Sequence, residues 1–324
     1  MHFFDLHCDT LTMSGLLKKA PLRRNNGHLD FVRLQNTGAI AQCFAIWIPT
    51  HRCAQKYGVK DSPWEFYQKA KSLFKEELQK NSDLIAPALK IEDVRQNTKD
   101  GLVSAILTIE DSVLLSGSLE KLETLYRDGI RMMTLTWNYE NSLGYPNDRE
   151  EAKTKLGLKP FGKEDVLRMM DLGIAVDVSH LSDGGFYNVA ELSQKMHIPF
   201  LASHSCARSL QPHPRNLTDE MLHILGNCGG ICGVNFEDSF LPDTENHLTK
   251  IADIVRCACY LCNQAGIDAV ALGSDFDGIE SKLEMGGYEG LPLLAEALNK
   301  KLPAAQVEKI CYRNAMRFFE AAIH

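Results

Sequence analysis

The sequence predicts an α/β protein, a (β/α)8 barrel of the TIM type. Three observations carry this expectation. Eight apolar, β-branched runs recur along the chain and read as parallel strands buried on both faces. Amphipathic segments at helical spacing lie between most of them. No glycine-rich phosphate loop follows the first run, which leaves a doubly wound open sheet as the second choice.

The strands are expected at residues 3–6, 39–48, 102–109, 131–136, 174–179, 199–203, 230–236 and 269–273. Residues 64–79 carry Phe66, Ala70, Phe74 and Leu78 on one helical face. Further helices are expected at 121–127, 163–171, 185–196, 219–226 and 247–264, then at 291–300 and 304–322 after the last strand. Two connections are long: 50–63 after the second strand, and 139–161 after the fourth, rich in Asn, Gly, Pro and charge. Both would lie on one barrel face and could wall a substrate site. The chain shows no internal repeat or low-complexity segment. Residues 1–324 are expected to form one domain, because α/β barrels commonly reach this size.

Composition is ordinary for a globular protein, 44% hydrophobic and 24% charged. A net charge of −7 argues against nucleic acid as a partner. No apolar run reaches the roughly 18 residues that span a bilayer. No secretory signal is expected, because the first motif starts almost at Met1, and no lipid anchor is expected from residues 318–324. The ten cysteines are scattered and suit a reducing cytoplasm. Cys259 and Cys262 form one CxxC inside a helical run, where small apolar packing is the simpler role. A homodimer stays open.

Six polar residues fall at the C-terminal ends of the expected strands. His7 and Asp9 end the first, two residues apart, so an extended chain aims both at one point. Glu110 ends the third, His180 the fifth and His204 the sixth; Asp275 follows the eighth. Singly, each has an ordinary explanation: Glu110 as a helix cap, His180 and His204 as turn residues, Asp275 in an Asp-x-Asp-Gly turn. Together they occupy the face where barrel enzymes gather catalytic groups from several strands. Imidazole and carboxylate donors suit zinc or a similar divalent ion. His2, His28, His51, His197, His213, His223, His247 and His324 lack this placement and are read as surface or structural residues.

Three histidines with Asp9 and Glu110 exceed what one catalytic zinc takes. Two ions bridged by Glu110 would use them all, His7 and Asp9 on one, His180 and His204 on the other. Such a pair can share a water, lower its pKa and polarise a carbonyl. Asp275 would then act as the general base.

Four blocks in order resemble the renal, or membrane, dipeptidase family of binuclear zinc peptidases, over nearly the whole chain. They are His7-x-Asp9; the run from Gly157 through Met169-Met170-Asp171-Leu172-Gly173 to Asp177-Val178-Ser179-His180; Ser203-His204-Ser205 with Arg215-Asn216; and Gly273-Ser274-Asp275-Phe276-Asp277-Gly278. The resemblance implies a (β/α)8 barrel with two zinc ions that hydrolyses a dipeptide with free amino and carboxyl ends. It implies His7 and Asp9 on one zinc, Glu110 as bridge, and His180 and His204 on the other. Asp275 would be the acid/base and substrate aspartate, and Arg215 the substrate-binding arginine. The attacking group would be a hydroxide shared by the two ions.

Two positions depart from the family pattern. A histidine that mammalian members place at the substrate carbonyl is Trp137 here, whose indole N–H donates but does not titrate like imidazole. Near Glu237–Phe240 a substrate-facing tyrosine is replaced, with Phe240 the nearest counterpart. Three rival readings remain: another binuclear metal hydrolase acting on a lactam, lactone or phosphoester; a non-catalytic metal- or peptide-binding barrel, which only Trp137 favours; and a redox protein using Cys259 and Cys262.

Overall fold

In the computed structural model, which describes residues 1–242 and 246–323, eight parallel strands close into a barrel. They are β1 (Phe3–Cys8), β2 (Ala39–Trp47), β3 (Val103–Glu110), β4 (Ile130–Thr134), β5 (Ala175–Asp177), β6 (Leu201–Ser205), β7 (Ile231–Val234) and β8 (Val270–Leu272). Each pairs with its neighbour in sequence, and β8 returns to β1 through Asp5 opposite Leu272. The (β/α)8 expectation is met.

The differences are local. Residues 85–87 form an additional strand on the N-terminal half of one β3 edge, while β4 takes the C-terminal half. Short helices such as Phe31–Thr37, His51–Tyr57 and Ile91–Lys99 escape a periodicity reading because seven or nine residues hold too few repeats. Phe31–Thr37 is marked instead by its ends: the Asp30 side chain accepts from the Arg33 N–H, and Gly38 closes it at φ 87°. The helix expected at 247–264 starts at Ile251, because Leu248–Thr249 pair with Lys282–Leu283 as a small second sheet. The expected helix 304–322 is interrupted by a π-helical turn at Lys309–Arg313. His324 lies outside the described residues. Among those described, no helix is long and apolar enough to cross a membrane.

The core has two parts. Outward strand residues such as Val103, Ala105, Leu107 and Ile109 pack under the helices. Phe4, Leu6, Ile106, Met132, Ala175, Leu201, Ile231 and Ala271 fill the lumen, closed from below by Phe318 and Phe319 of the helix Asn314–Ala322. Phe4 stacks on Phe319 with ring centroids 5.2 Å apart. The apolar lumen ends partway up, so inward positions of the C-terminal layer are free for polar groups. Regular alternation would turn His7 outward with Phe3, and His204 outward with Ala202. The pairing shifts register between Asp5 and Cys8 in β1 and between Ala202 and Ser205 in β6. Such irregularities re-aim a side chain, and here they fall on the two strand-borne histidines.

One buried group contributes to the fold at a cost. Asp165, on the helix Pro160–Leu172, is fully buried, and neither of its carboxylate oxygens finds a hydrogen-bond partner. Burial, reinforced by nearby Glu164, raises its pKa to about 7. A carboxyl whose folded pKa lies above its unfolded value destabilises the fold as pH rises through the window between them. Stability should therefore fall between about pH 4 and pH 7, by on the order of 4 kcal/mol from this group. Asp165→Asn should flatten that slope. Urea denaturation of both proteins at pH 5 and pH 8 checks this; parallel pH profiles would refute it.

Candidate metal centre

The strand register builds the site. Trp47, Glu110, Thr134, Asp177 and Leu201 are successive partners across β2 to β6, forming one row around half the mouth. Glu110 ends β3 within that row and is buried. His7 comes from β1, with Asp9 just beyond its end. His204 lies within β6. His180 and Asp275 lie past the ends of β5 and β8, in turns where both take left-handed backbone, φ 67° and 61°. His and Asp adopt this region more readily than most residues. The strand expected to run through residue 179 thus stops at Asp177, and the turn carries His180 inward.

The five expected ligands converge. Glu110 Oε1 lies 3.0 Å from His180 Nε2 and 3.5 Å from His204 Nε2, while Oε2 lies 3.6 Å from His7 Nε2. The Nε2 atoms of His180 and His204 are 3.1 Å apart. His7 Nε2 is 3.9 Å from Asp9 Oδ1 and equally 3.9 Å from Asp275 Oδ1. Among the described residues, two groupings have metal-ligand spacing: His7, Glu110 and His204, and His7, Asp9 and Asp275. Both nitrogens of His7, Asp9 Oδ1 and Glu110 Oε2 are buried without a hydrogen-bond partner. Such groups are costly unless a ligand satisfies them. The donor set and these unpartnered atoms fit a metal.

The protein groups polarise one another strongly. For His7, burial favours the neutral ring, but Glu110, Asp9 and Asp275 outweigh it and raise its pKa to about 10. Burial alone would raise Glu110, yet His7, His180 and His204 hold it well below the usual range. Asp275 is pushed to about 7, by burial first and by Glu110, against the pull of His7 and the Asn235 hydrogen bond. Burial, then Arg215, brings His180 down to about 4.

A cavity of ≈ 340 Å³ opens over the centre, lined by Asp9, Glu110, His180, Arg215 and Asp275. The 50–63 connection walls it as expected, through Cys53, Lys56 and Tyr57; the 139–161 connection does not reach its lining, and Trp137, Asn138 and Phe240 close the other sides. Trp137 stands edge-on to Trp47 at 5.0 Å between ring centroids. Arg215 is buried; its Nη1 and Nη2 donate to Ser205 Oγ and the His204 carbonyl, and Nε has no partner. Its guanidinium lies 5.3 Å from the Phe240 ring centroid. His213 sits behind Phe240, 4.8 Å between rings, and outside the cavity lining. Cys259 and Cys262 stay within the helix Ile251–Ala265, both thiols raised by burial, which counts against a redox role.

Several residues that sequence reasoning missed support the centre. Asn138 Oδ1 faces His180 Nδ1 at 3.1 Å, and Ser203 Oγ faces His204 Nδ1 at 2.7 Å. Asn235 donates to Asp275 Oδ2 at 3.0 Å. Thr10 Oγ1 and the His28 N–H donate to Asp277, tying the loop after β8 to that after β1. At Gly278 a Cβ would fall 2.3 Å from both Asp275 Oδ1 and Asp9 Oδ2. Only Asp177, Ser203, Asp277 and Gly278 carried a signal, by lying inside the quoted blocks.

A model of the membrane dipeptidase family, peptidase family M19, matches residues 1–323. The chain is 27% identical over 303 residues to the dipeptidase tcpJ of Claviceps purpurea, covering 92% of this chain and 70% of that one. Its fold is similar to a metallo peptidase from Rhodobacter sphaeroides solved with a phosphinate mimic of L-Ala-D-Ala. That match has 24% identity, TM-score 0.88 and 99% of each chain covered. A solved dipeptidase AC aligns at 25% identity and TM-score 0.87, over 100% of this chain and 99% of that one. With a family match spanning the strands, the turns and every residue of the centre, the chain belongs to the membrane dipeptidase family.

Proposed function

We propose that the chain is a zinc-dependent dipeptidase with two zinc ions, acting on free dipeptides. The observation that carries this is the split of Glu110: one carboxylate oxygen faces His180 and His204, the other faces His7. Glu110 would serve both ions, with His7 and Asp9 completing one site and His180 and His204 the other. Bound there, zinc would supply a Lewis acid for the peptide carbonyl and lower the pKa of water.

The remaining steps belong to side chains. Asp275 is held at Oδ2 by Asn235 and turns Oδ1 toward His7. It would take a proton from water and return it to the leaving amine. Arg215 would hold the substrate carboxylate, using the Nε–H that lacks a partner. Trp137 and Phe240 would contribute apolar walls, with one indole donor in place of a titrating ring. The dipeptidase tcpJ and the bound dipeptide mimic of the Rhodobacter sphaeroides enzyme support this substrate class. A second reading, Asp275 as a ligand, is favoured by its equal distance with Asp9 from His7 Nε2.

Elemental analysis and a hydrolysis assay test the proposal together. Purified protein should carry about two zinc ions per chain and split free dipeptides, leaving N-acetylated dipeptides and tripeptides intact. A zinc-free protein, or tripeptides cut as fast as dipeptides, would overturn it.

Asp275→Asn should keep its zinc and lose turnover by about 10²–10⁴-fold, the usual contribution of general acid–base catalysis. The amide matches the carboxylate in size but accepts no proton. Metal content and turnover measured on one preparation decide: a lost zinc makes Asp275 a ligand, and normal turnover removes it from the mechanism.

Gly278→Ala tests the crowding of the centre. The backbone there is not left-handed, so the substitution acts through space rather than strain. The added methyl should part Asp9 from Asp275 and empty the His7–Asp9 site first, while the melting temperature changes little. Zinc content equal to wild type would show that the carboxylates have room to spare.

A further inference from the structure

We infer that Asp177, acting through the Ser203 hydroxyl, fixes the tautomer of His204 and so directs its Nε2 lone pair at the metal. The inference rests on the metal site proposed above. Asp177 ends β5, is fully buried and does not line the cavity over the centre. Its carboxylate faces donors only. The N–H groups of Ser179 and Ser203 reach Oδ1 at 2.9 and 2.8 Å. The hydroxyls of Thr134 and Ser203 reach Oδ2 at 2.5 and 2.6 Å.

A serine hydroxyl has one proton to give. Ser203 also approaches Ser179 Oγ, but at 3.4 Å against 2.6 Å to Asp177, so the proton goes to the carboxylate. Toward His204 Nδ1, 2.7 Å away, Ser203 Oγ can therefore only accept. Nδ1 must carry the hydrogen, and Nε2 presents its lone pair to Glu110 and His180. Carboxylate partners commonly orient metal-binding imidazoles directly; here a hydroxyl stands between, and the direction of its O–H sets the ring. Asp177 and Ser203 are positioning residues, since neither lines the cavity.

The arrangement predicts an unusual order among variants. Ser203→Ala cuts the relay and leaves His204 free to take either tautomer. Asp177→Asn reverses it. The amide oxygen can keep the two N–H groups, while its NH2 donates to the Thr134 and Ser203 hydroxyls. Ser203 then turns its proton to Nδ1, forcing hydrogen onto Nε2, where it blocks the metal. The same logic makes an Asp→Asn change beside a catalytic histidine select the wrong tautomer. Combining both substitutions severs the reversed relay and should restore binding to the level of Ser203→Ala alone.

Zinc affinity, measured on the full chain by chelator competition, should fall about 10–100-fold for Ser203→Ala, the usual effect of losing such a partner. It should fall further for Asp177→Asn and recover in the double variant. A purely structural Asp177 would instead make the double variant as weak as Asp177→Asn or weaker, which overturns the inference. The ring 15N shifts of His204 in zinc-free wild-type protein give a second readout, expected to report hydrogen on Nδ1. Hydrogen on Nε2 overturns the relay, and this measurement decides the matter if Asp177→Asn fails to fold. A wild type that binds no zinc would sink the proposed function but leave the 15N result standing, so the two failures are distinct.

Discussion

Everything at the mouth of this barrel depends on one unfavourable meeting. The Nε2 atoms of His180 and His204 lie 3.1 Å apart, and both face the same oxygen of Glu110. Each ring turns its other nitrogen to an oxygen acceptor, Asn138 Oδ1 or Ser203 Oγ. With hydrogens on those Nδ1 atoms, two lone pairs and a carboxylate are pressed together in a buried space. A cation between them turns mutual repulsion into ligation. The protein reaches this arrangement by folding, at a free-energy cost that metal binding can offset.

The barrel holds such a centre because the two ends of its lumen do different work. Below, Phe4, Ile106, Met132 and the Phe318–Phe319 plug supply apolar burial. Above, the row from Trp47 to Asp177 places polar groups in register without using loops. Irregular backbone accompanies the site residues: the register shifts beside His7 in β1 and His204 in β6, and the left-handed turns at His180 and Asp275. Asp111, beside Glu110, is left-handed too, at φ 75°. Each such residue costs free energy and persists only where its surroundings over-determine it.

How much of this the sequence discloses follows from range. The eight strands were legible because burial on both faces forces continuous apolar runs. Their ends were less so: the run through residue 179 hides the point after Asp177 where the chain leaves the sheet. The candidate site residues were legible as a set, since His7, Asp9, Glu110, His180, His204 and Asp275 all follow strand-like runs. The Asn138 and Asn235 side chains were not, because an amide that orients a ligand looks locally like any turn residue. Gly278 is similar: the close approach of Asp9 and Asp275 that requires it joins residues more than 260 positions apart. His7 and His204 were placed on the right face by their positions at strand ends, but regular alternation would have turned them outward. Register shifts, which no periodicity reveals, bring them in.

The tryptophan at 137 narrows what can move a proton here. Glu110 is held well below the ordinary carboxylate range by three histidines, so it is a poor proton acceptor. His180 is driven down to about 4 and is committed to the centre through Nε2. Arg215 stays charged, and Trp137 has no acceptor nitrogen. Glu237 and Glu280 line the rim, but Glu237 is occupied by Ser281 and the Glu280 N–H, while Glu280 points to solvent near Lys56. Asp9 is taken up beside His7 as a proposed metal ligand, and Asp275 is left, with one oxygen fixed by Asn235 and the other facing the centre. In the metal-free protein burial and the Glu110 charge lift it to about 7, and bound ions would draw it down toward the ionised form that accepts a proton. A site that lacks a titrating imidazole at 137 can therefore still run the proposed chemistry, provided that Asp275 carries the proton both from water and to the leaving amine.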